Sequence, residues 1–364
     1  MKKYFWMAAL ASVAFASCVN EEMTEVNQEQ SKRLLSFGAP VMYNQSRIVN
    51  GEISGSTYPT EENFVVYGFE HRGQFAGWGV NEEKNASDQR YFPESGEEVQ
   101  HRPNSSYWDT ATNYYLPTEP DHYLSFLACS PVRAKNHGTF TVDSDGLTIT
   151  DWKMQANSSI QYDLMCSTVT ANVAQARVPI NFYHTLSSIC FSFSKADNGA
   201  DTPHAIHLTS VKVGGDILNK GTFKQNLPGT SNIQGAPRWK DLSKDGDNEY
   251  VLLADTKEVF VEGSATTAFV GGNFLPIPQQ VNSDMYVEIS YTIQQEEGEV
   301  ADNKTLKIPF TNFIKTGGSV TEEWLMSNRY TYHIHFGALT KIFFAPTIMQ
   351  NWIENDNAGV YTIQ

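Results

Sequence analysis

A chain of 364 residues with 26 basic and 41 acidic side chains has a formal charge of −15 and a pI near 5.0. No Lys- or Arg-rich run is present, which argues against nucleic acid or an anionic lipid face as a partner. Hydrophobic residues at 40% permit real cores, and the 12% of aromatics, beside plentiful Gly, Thr, Ser, Asn and Tyr, favour an all-β protein.

Met1-Lys2-Lys3 is a short basic start, Tyr4 to Phe15 is uncharged and mostly apolar, and Ala16-Ser17 supplies small residues before Cys18. The apolar run is shorter than the roughly 20 residues of a membrane-spanning helix. A small-small-Cys ending is a lipobox arrangement, so residues 1–17 read as a lipoprotein signal peptide and Cys18 as the lipidated residue. The competing reading is an ordinary secretory signal with a chance cysteine. Loss of Lys2 and Lys3 with the signal takes the net charge from −15 to −17. Residues 19–32 are polar and acidic, a tether. From Arg33, RLLSFGAPVMY alternates, placing Leu35, Phe37, Ala39, Val41 and Tyr43 on one face of a strand. The polar stretch NQSRIVNGEISGSTYPTEEN follows and reads as a long exposed loop carrying Arg47.

From Phe64 short strand-like runs recur between turn signals. FVVYGFE, YWDTATNYYLP, DHYLSFLACSPV, GTFTV, GLTITDW and YDLMCSTVTA lead to the break NVAQAR and then VPINFYHTLSSICFSFSK. Beyond lie HLTSVKVGG, GTFKQ, EYVLLAD, TAFVGGNFLPIP, DMYVEISYTIQ, KTLKIPF, RYTYHIHFG and KIFFAPTIMQNW. Runs this short, separated by Gly, Asn, Asp and Pro, mark β-sandwiches. A short helical patch is expected near Val320 to Met326, and no period of about 20–50 residues repeats. The expected layout is a tether and first strand over 18–47, one domain over 48–174 and a second over 175–364.

Chemistry is sparse. There is no GxSxG, P-loop, HExxH or GxGxxG after a strand, so neither an enzyme nor a cofactor is expected. His333 and His335 share a strand face and are the best metal-like pair, but no further ligand is suggested nearby, and ordinary interface histidines compete with that reading. His184, in an apolar run, reads as a core histidine with one satisfied hydrogen bond. Trp78, Tyr107, Trp108, Tyr114 and Tyr115 could form a sugar-stacking platform or pack in a core. Cys129, Cys166 and Cys190 sit in apolar runs and read as buried free thiols, with a disulfide as the lesser reading.

One feature has a mechanism: an alternating strand ahead of an exposed arginine. If the chain is cut after Arg47 and the strand leaves, an apolar groove with unpaired backbone groups opens, which an extended segment of another molecule can fill. The alternative is a plain first strand followed by a loop.

The lipobox, the strand before Arg47, FVVYGF, YWDTATNYYLP with YLSFLACSPV, YDLMCST, VPINFYHTLSSICFSF, LPIPQQ, WLMSNRYTYHIHFG and FFAPTIMQNW together resemble the fimbrillin family. These are the type V pilus subunits of Bacteroides-type bacteria, and the likeness is to the minor-fimbrillin-like branch. The resemblance implies an all-β chain of two tandem transthyretin-like β-sandwich domains, exported as an outer-membrane lipoprotein and held in lipid through Cys18. It also implies cleavage after Arg47 by an arginine-specific protease, loss of the first strand, and assembly with other pilus subunits by β-strand addition. Arg33 is the competing cleavage site, but a cut there leaves the strand in place. The donated strand is expected within residues 341–364. A host protein or glycan is a possible further partner. The expected product is a structural or adhesive pilus subunit; the alternative is a surface glycan-binding lipoprotein of a nutrient-capture system.

Overall fold

The structure, a computed structural model, describes residues 33–38, 40–42, 58–72, 90–119, 121–143, 146–156, 161–172, 174, 177–195, 205–226, 237–246, 249–260, 268–269, 274–294, 302–313, 318–336, 342–343 and 353–354. Among these it is built of strands, with 3-10 turns at Val132–His137 and Phe310–Asn312. The all-β expectation holds.

The first half contributes β1 (Phe37–Gly38), β2 (Val41–Met42), β3 (Phe64–Arg72), β4 (Glu97–His101), β5 (Tyr107–Thr110), β6 (His122–Ser130), β7 (Thr139–Asp143), β8 (Gly146–Lys153), β9 (Met165–Ala171) and β10 (Asn181–His184). Eight of them form one sheet in the order β1-β5-β4-β3-β6-β9-β10-β2. Its central strands are apolar on both faces, as their unbroken runs require. In β3, Phe64 and Val66 point to one core, while Val65, Tyr67 and Phe69 point to another. In β6, Leu124, Phe126 and Ala128 join the first core, and Leu127 and Cys129 join the second. The sheet is thus a wall between two apolar masses, and period-two alternation decides which side chain enters which.

The second half contributes β11 (Ser188–Lys195), β12 (Ala205–Gly214), β13 (Lys220–Asn226), β14 (Arg238–Ser243), β15 (Tyr250–Phe260), β16 (Ala268–Phe269), β17 (Gln279–Gln280), β18 (Tyr286–Gln294), β19 (Asp302–Pro309), β20 (Glu323–Trp324), β21 (Asn328–Phe336), β22 (Ile342–Phe343) and β23 (Ile353–Glu354). One sheet runs β16-β11-β21-β22, with β23 also on β21, and another runs β15-β12-β18-β19. Phe191, Phe310, Phe313, Trp324 and Tyr332 pack in a shared aromatic core, with Phe310 and Tyr332 edge to face at 4.9 Å.

The hairpin β7–β8 leaves the eight-stranded sheet and pairs with β13, giving a sheet of order β14-β13-β8-β7. Strands from before and after residue 175 therefore share backbone hydrogen bonds and one apolar cluster. The helix expected near Val320–Met326 is absent. Residues 323–324 form β20 against β17, which buries the Trp324 indole and lets its Nε1–H donate to the Tyr332 hydroxyl at 2.9 Å. Seven residues offer too few turns to outweigh that pairing.

Candidate functional site

Residues 33–42 occupy a strand position that is bonded on both sides. On one side the Leu35 amide donates to the Tyr114 carbonyl at 2.7 Å, the Leu116 amide donates to the Arg33 carbonyl at 2.9 Å, and Phe37 stands opposite Trp108. On the other, the Gly38 amide donates to the Val178 carbonyl at 2.9 Å and the Val178 amide donates to the Ser36 carbonyl at 3.0 Å. Two residues on, β2 runs parallel to β10, with Val41 opposite Asn181. The sheet order therefore begins and ends on one segment. Residues 33–42 close the eight-stranded sheet on itself, and every other strand of it lies later in the chain.

Side chains reinforce the seam. Leu35 and Phe37 are 2% and 0% exposed, whereas Leu34 between solvent and strand is 42% exposed, as alternation requires. The Phe37 ring meets Phe64 and Phe126 edge to face at 6.1 and 5.6 Å. Of the other residues placed on this face by pattern, Ala39 and Tyr43 lie outside the described residues, and Val41 is described as backbone within β2. Cys18 and Arg47 lie outside the described residues as well. Arg33 is at the first hydrogen-bonded position of the segment.

The stretch read as an exposed polar loop delivers one core residue that pattern missed. Tyr58 is 1% exposed, its ring lies tilted against Phe182 at 5.3 Å, and its hydroxyl lies 2.6 Å from Ser130 Oγ. A lone tyrosine in NGEISGSTYPTEEN carries no periodic signal; its burial rests on the Ser130 hydroxyl in β6, the Asn63 carbonyl and the rings of Phe64, Trp108 and Phe182. Burial drives its hydroxyl far above the ordinary tyrosine range. Tyr114, flanking the seam, is pushed up to about 12, first by burial and then by the Glu97 carboxylate that accepts its hydrogen bond. Both phenols stay neutral at physiological pH. The seam thus offers apolar pockets and backbone donors and acceptors, the chemistry of strand binding.

The other candidates disperse. Trp108 is 2% exposed and sits in the core beside Tyr58, so β5 alternation removes it from any sugar-stacking platform. Tyr107 lies under Arg177, Tyr114 packs on Phe92, Tyr115 is exposed, and Trp78 is outside the described residues. His333 and His335 do share a strand face, but Ser194 Oγ sits between them at 2.7 and 2.8 Å, and Ser192 Oγ lies 2.6 Å from the other His333 nitrogen. No group of three His, Cys, Asp or Glu among the described residues could hold a metal ion. Burial, with His335 alongside, lowers His333 to about 4. His184 is a core histidine whose partner was not legible in sequence: its Nδ1 lies 2.8 and 2.9 Å from the two carboxylate oxygens of buried Asp163.

Fold and site define an all-β protein whose first described segment fills a strand position in a sheet formed otherwise by later residues. Among the described residues no helix is long and apolar enough to cross a membrane. The chain belongs to the fimbrillin-like family, which matches residues 63–352. A fimbrial protein from Bacteroides vulgatus is similar in structure, with a TM-score of 0.55 and 14% identity over 83% of this chain and 95% of its own. A fimbrial assembly protein from Parabacteroides distasonis aligns at a TM-score of 0.36 and 16% identity, covering 87% of this chain and 96% of its own. No curated protein matches the sequence.

Proposed function

We propose that this chain is a structural or adhesive subunit of a cell-surface pilus, delivered as an outer-membrane lipoprotein through Cys18 and primed for assembly by loss of residues 18–47. The observation that carries the proposal is the seam: residues 33–42 are hydrogen-bonded on both sides and place Leu35 and Phe37 in the first core. A cut after Arg47 by an arginine-specific protease separates this segment covalently from the rest of the sheet. Its departure leaves the Val178 and Leu116 amides and the Tyr114 and Val178 carbonyls without partners and opens the pockets of Leu35 and Phe37. Unpaired buried backbone groups are costly, so the opened sheet accepts an extended segment. In an assembled pilus that segment is the region 341–364 of a neighbouring subunit, whose β22 and β23 leave their pairing with that subunit's own β21 to reach across. Membership of the fimbrillin-like family supports the same reading.

N-terminal sequencing of the surface-exposed protein from cells tests this. The expected first residue is Ile48. Assembled protein that begins at residue 18 overturns the cleavage step, because the strand position is then still filled from within.

A further inference from the structure

Cys129, Cys166 and Cys190 are buried and unbridged. Two of them belong together. Cys129 in β6 stands directly opposite Cys166 in β9, and their sulfur atoms are 3.8 Å apart. Both face the larger apolar cluster, on the opposite side of the sheet from Phe37. Cys190 lies in another sheet, where its sulfur is 3.1 Å from Thr331 Oγ1. Directly opposed residues of antiparallel strands have Cβ atoms about 4.5–5.5 Å apart, and a disulfide needs about 3.5–4.5 Å. Closing the bond therefore brings the sulfurs from 3.8 Å to about 2.0 Å, by rotation of the two side chains and an approach of the Cβ atoms of about 1 Å.

We propose that Cys129 and Cys166 are a redox-closable pair whose cross-strand disulfide clamps the root of the β7–β8 arm. The chain between them contains the 3-10 turn Val132–His137 and the hairpin β7–β8, and that hairpin is what pairs with β13 in the second half. A bond here ties the two strands from which the arm springs and leaves the Phe37 groove on the other face free. The oxidant is a small-molecule or protein disulfide. A thiolate of one cysteine attacks it, forming a mixed disulfide and expelling one thiol. The second cysteine, deprotonated in turn, displaces the remaining half as a second thiol. Two electrons pass to the oxidant, and the two cysteine protons end on the two product thiols. Burial, then the contact with Cys129, holds the Cys166 thiol well above its ordinary range. The sealed pair is consequently slow to react, and the bond forms before β6 and β9 close into the sheet or when they part.

The test is to unfold the whole chain, refold it in mixed oxidised and reduced glutathione, and alkylate the remaining thiols. It is then digested without reduction and the peptides are weighed. The expected result is a linked pair of peptides carrying Cys129 and Cys166, lost on reduction, with Cys190 alkylated. The linked form should also unfold at higher urea than the reduced form. Alkylation of both Cys129 and Cys166 in a chain with native circular dichroism overturns the proposal, as does a link from either to Cys190 or Cys18. Should the chain fail to refold, the native protein is oxidised in urea below its unfolding midpoint and mapped in the same way. A Cys190→Ser variant should keep the link unchanged; loss of the link in that variant, with native circular dichroism retained, overturns the pairing.

Discussion

Phe37 is the residue on which the seam most depends. Fully buried, it touches Phe64 from β3 and Phe126 from β6, so truncation leaves a cavity lined by rings that are fixed by their own strands. Phe37→Ala should cost about 3–5 kcal/mol, read as a lower urea midpoint of the uncleaved chain. The effect on a chain beginning at Ile48 is nil by construction, which separates strand retention from general stability. His333 makes a second prediction at this scale. Its folded pKa lies near 4, below its ordinary 6.5, so the unfolded chain binds a proton first as pH falls. Stability from the neutral, serine-bonded imidazole is complete above pH 6.5 and is lost as pH falls towards 4. Urea midpoints of His333→Gln should therefore fall less steeply across that window than those of the unsubstituted chain.

Among strands, alternation was legible and pairing was not. RLLSFGAPVMY announces its buried face because Ser36, Gly38 and Pro40 separate Leu35, Phe37, Ala39 and Val41, and Leu35 and Phe37 lie in the core accordingly. FVVYGFE gives a strand but not its two-faced burial, which exists because β3 stands between two apolar masses. Tyr58 and Asp163 were invisible for another reason: each is buried by a partner distant in sequence, Ser130 and His184. Val320–Met326 read as a helical turn and is instead a strand pair, since the pull on Trp324 comes from the tertiary core. The arm was hidden in the same way, for nothing in GTFTV or GLTITDW names β13 as its neighbour. Gly146 marks that junction. Its φ of +130° suits glycine alone, and an added Cβ would lie 2.1 Å from the Gln225 carbonyl oxygen. Gly146→Ala should cost at least about 1–3 kcal/mol, with hydrogen exchange speeding first in β8 and β13.

At the scale of the whole molecule, the two halves are joined by the β7–β8 arm and a common apolar cluster, while the first core is completed from the extreme N-terminal side by residues 33–42. The arrangement separates what holds the body together from what closes its groove. Losing the first strand exposes the Phe37 site without touching the arm, so the body should survive cleavage and bind a replacement. Family membership was legible in the succession of motifs. The closure of the sheet by one segment was not, because it depends on Phe37 meeting Trp108 and Val178 at once. The most direct measurement treats the purified chain with an arginine-specific protease and follows mass by light scattering and the new N-terminus by sequencing. The expected product begins at Ile48, has shed residues 33–42, and grows into multimers. A stable monomer that is cut after Arg47 yet still holds that strand would contradict assembly through the seam.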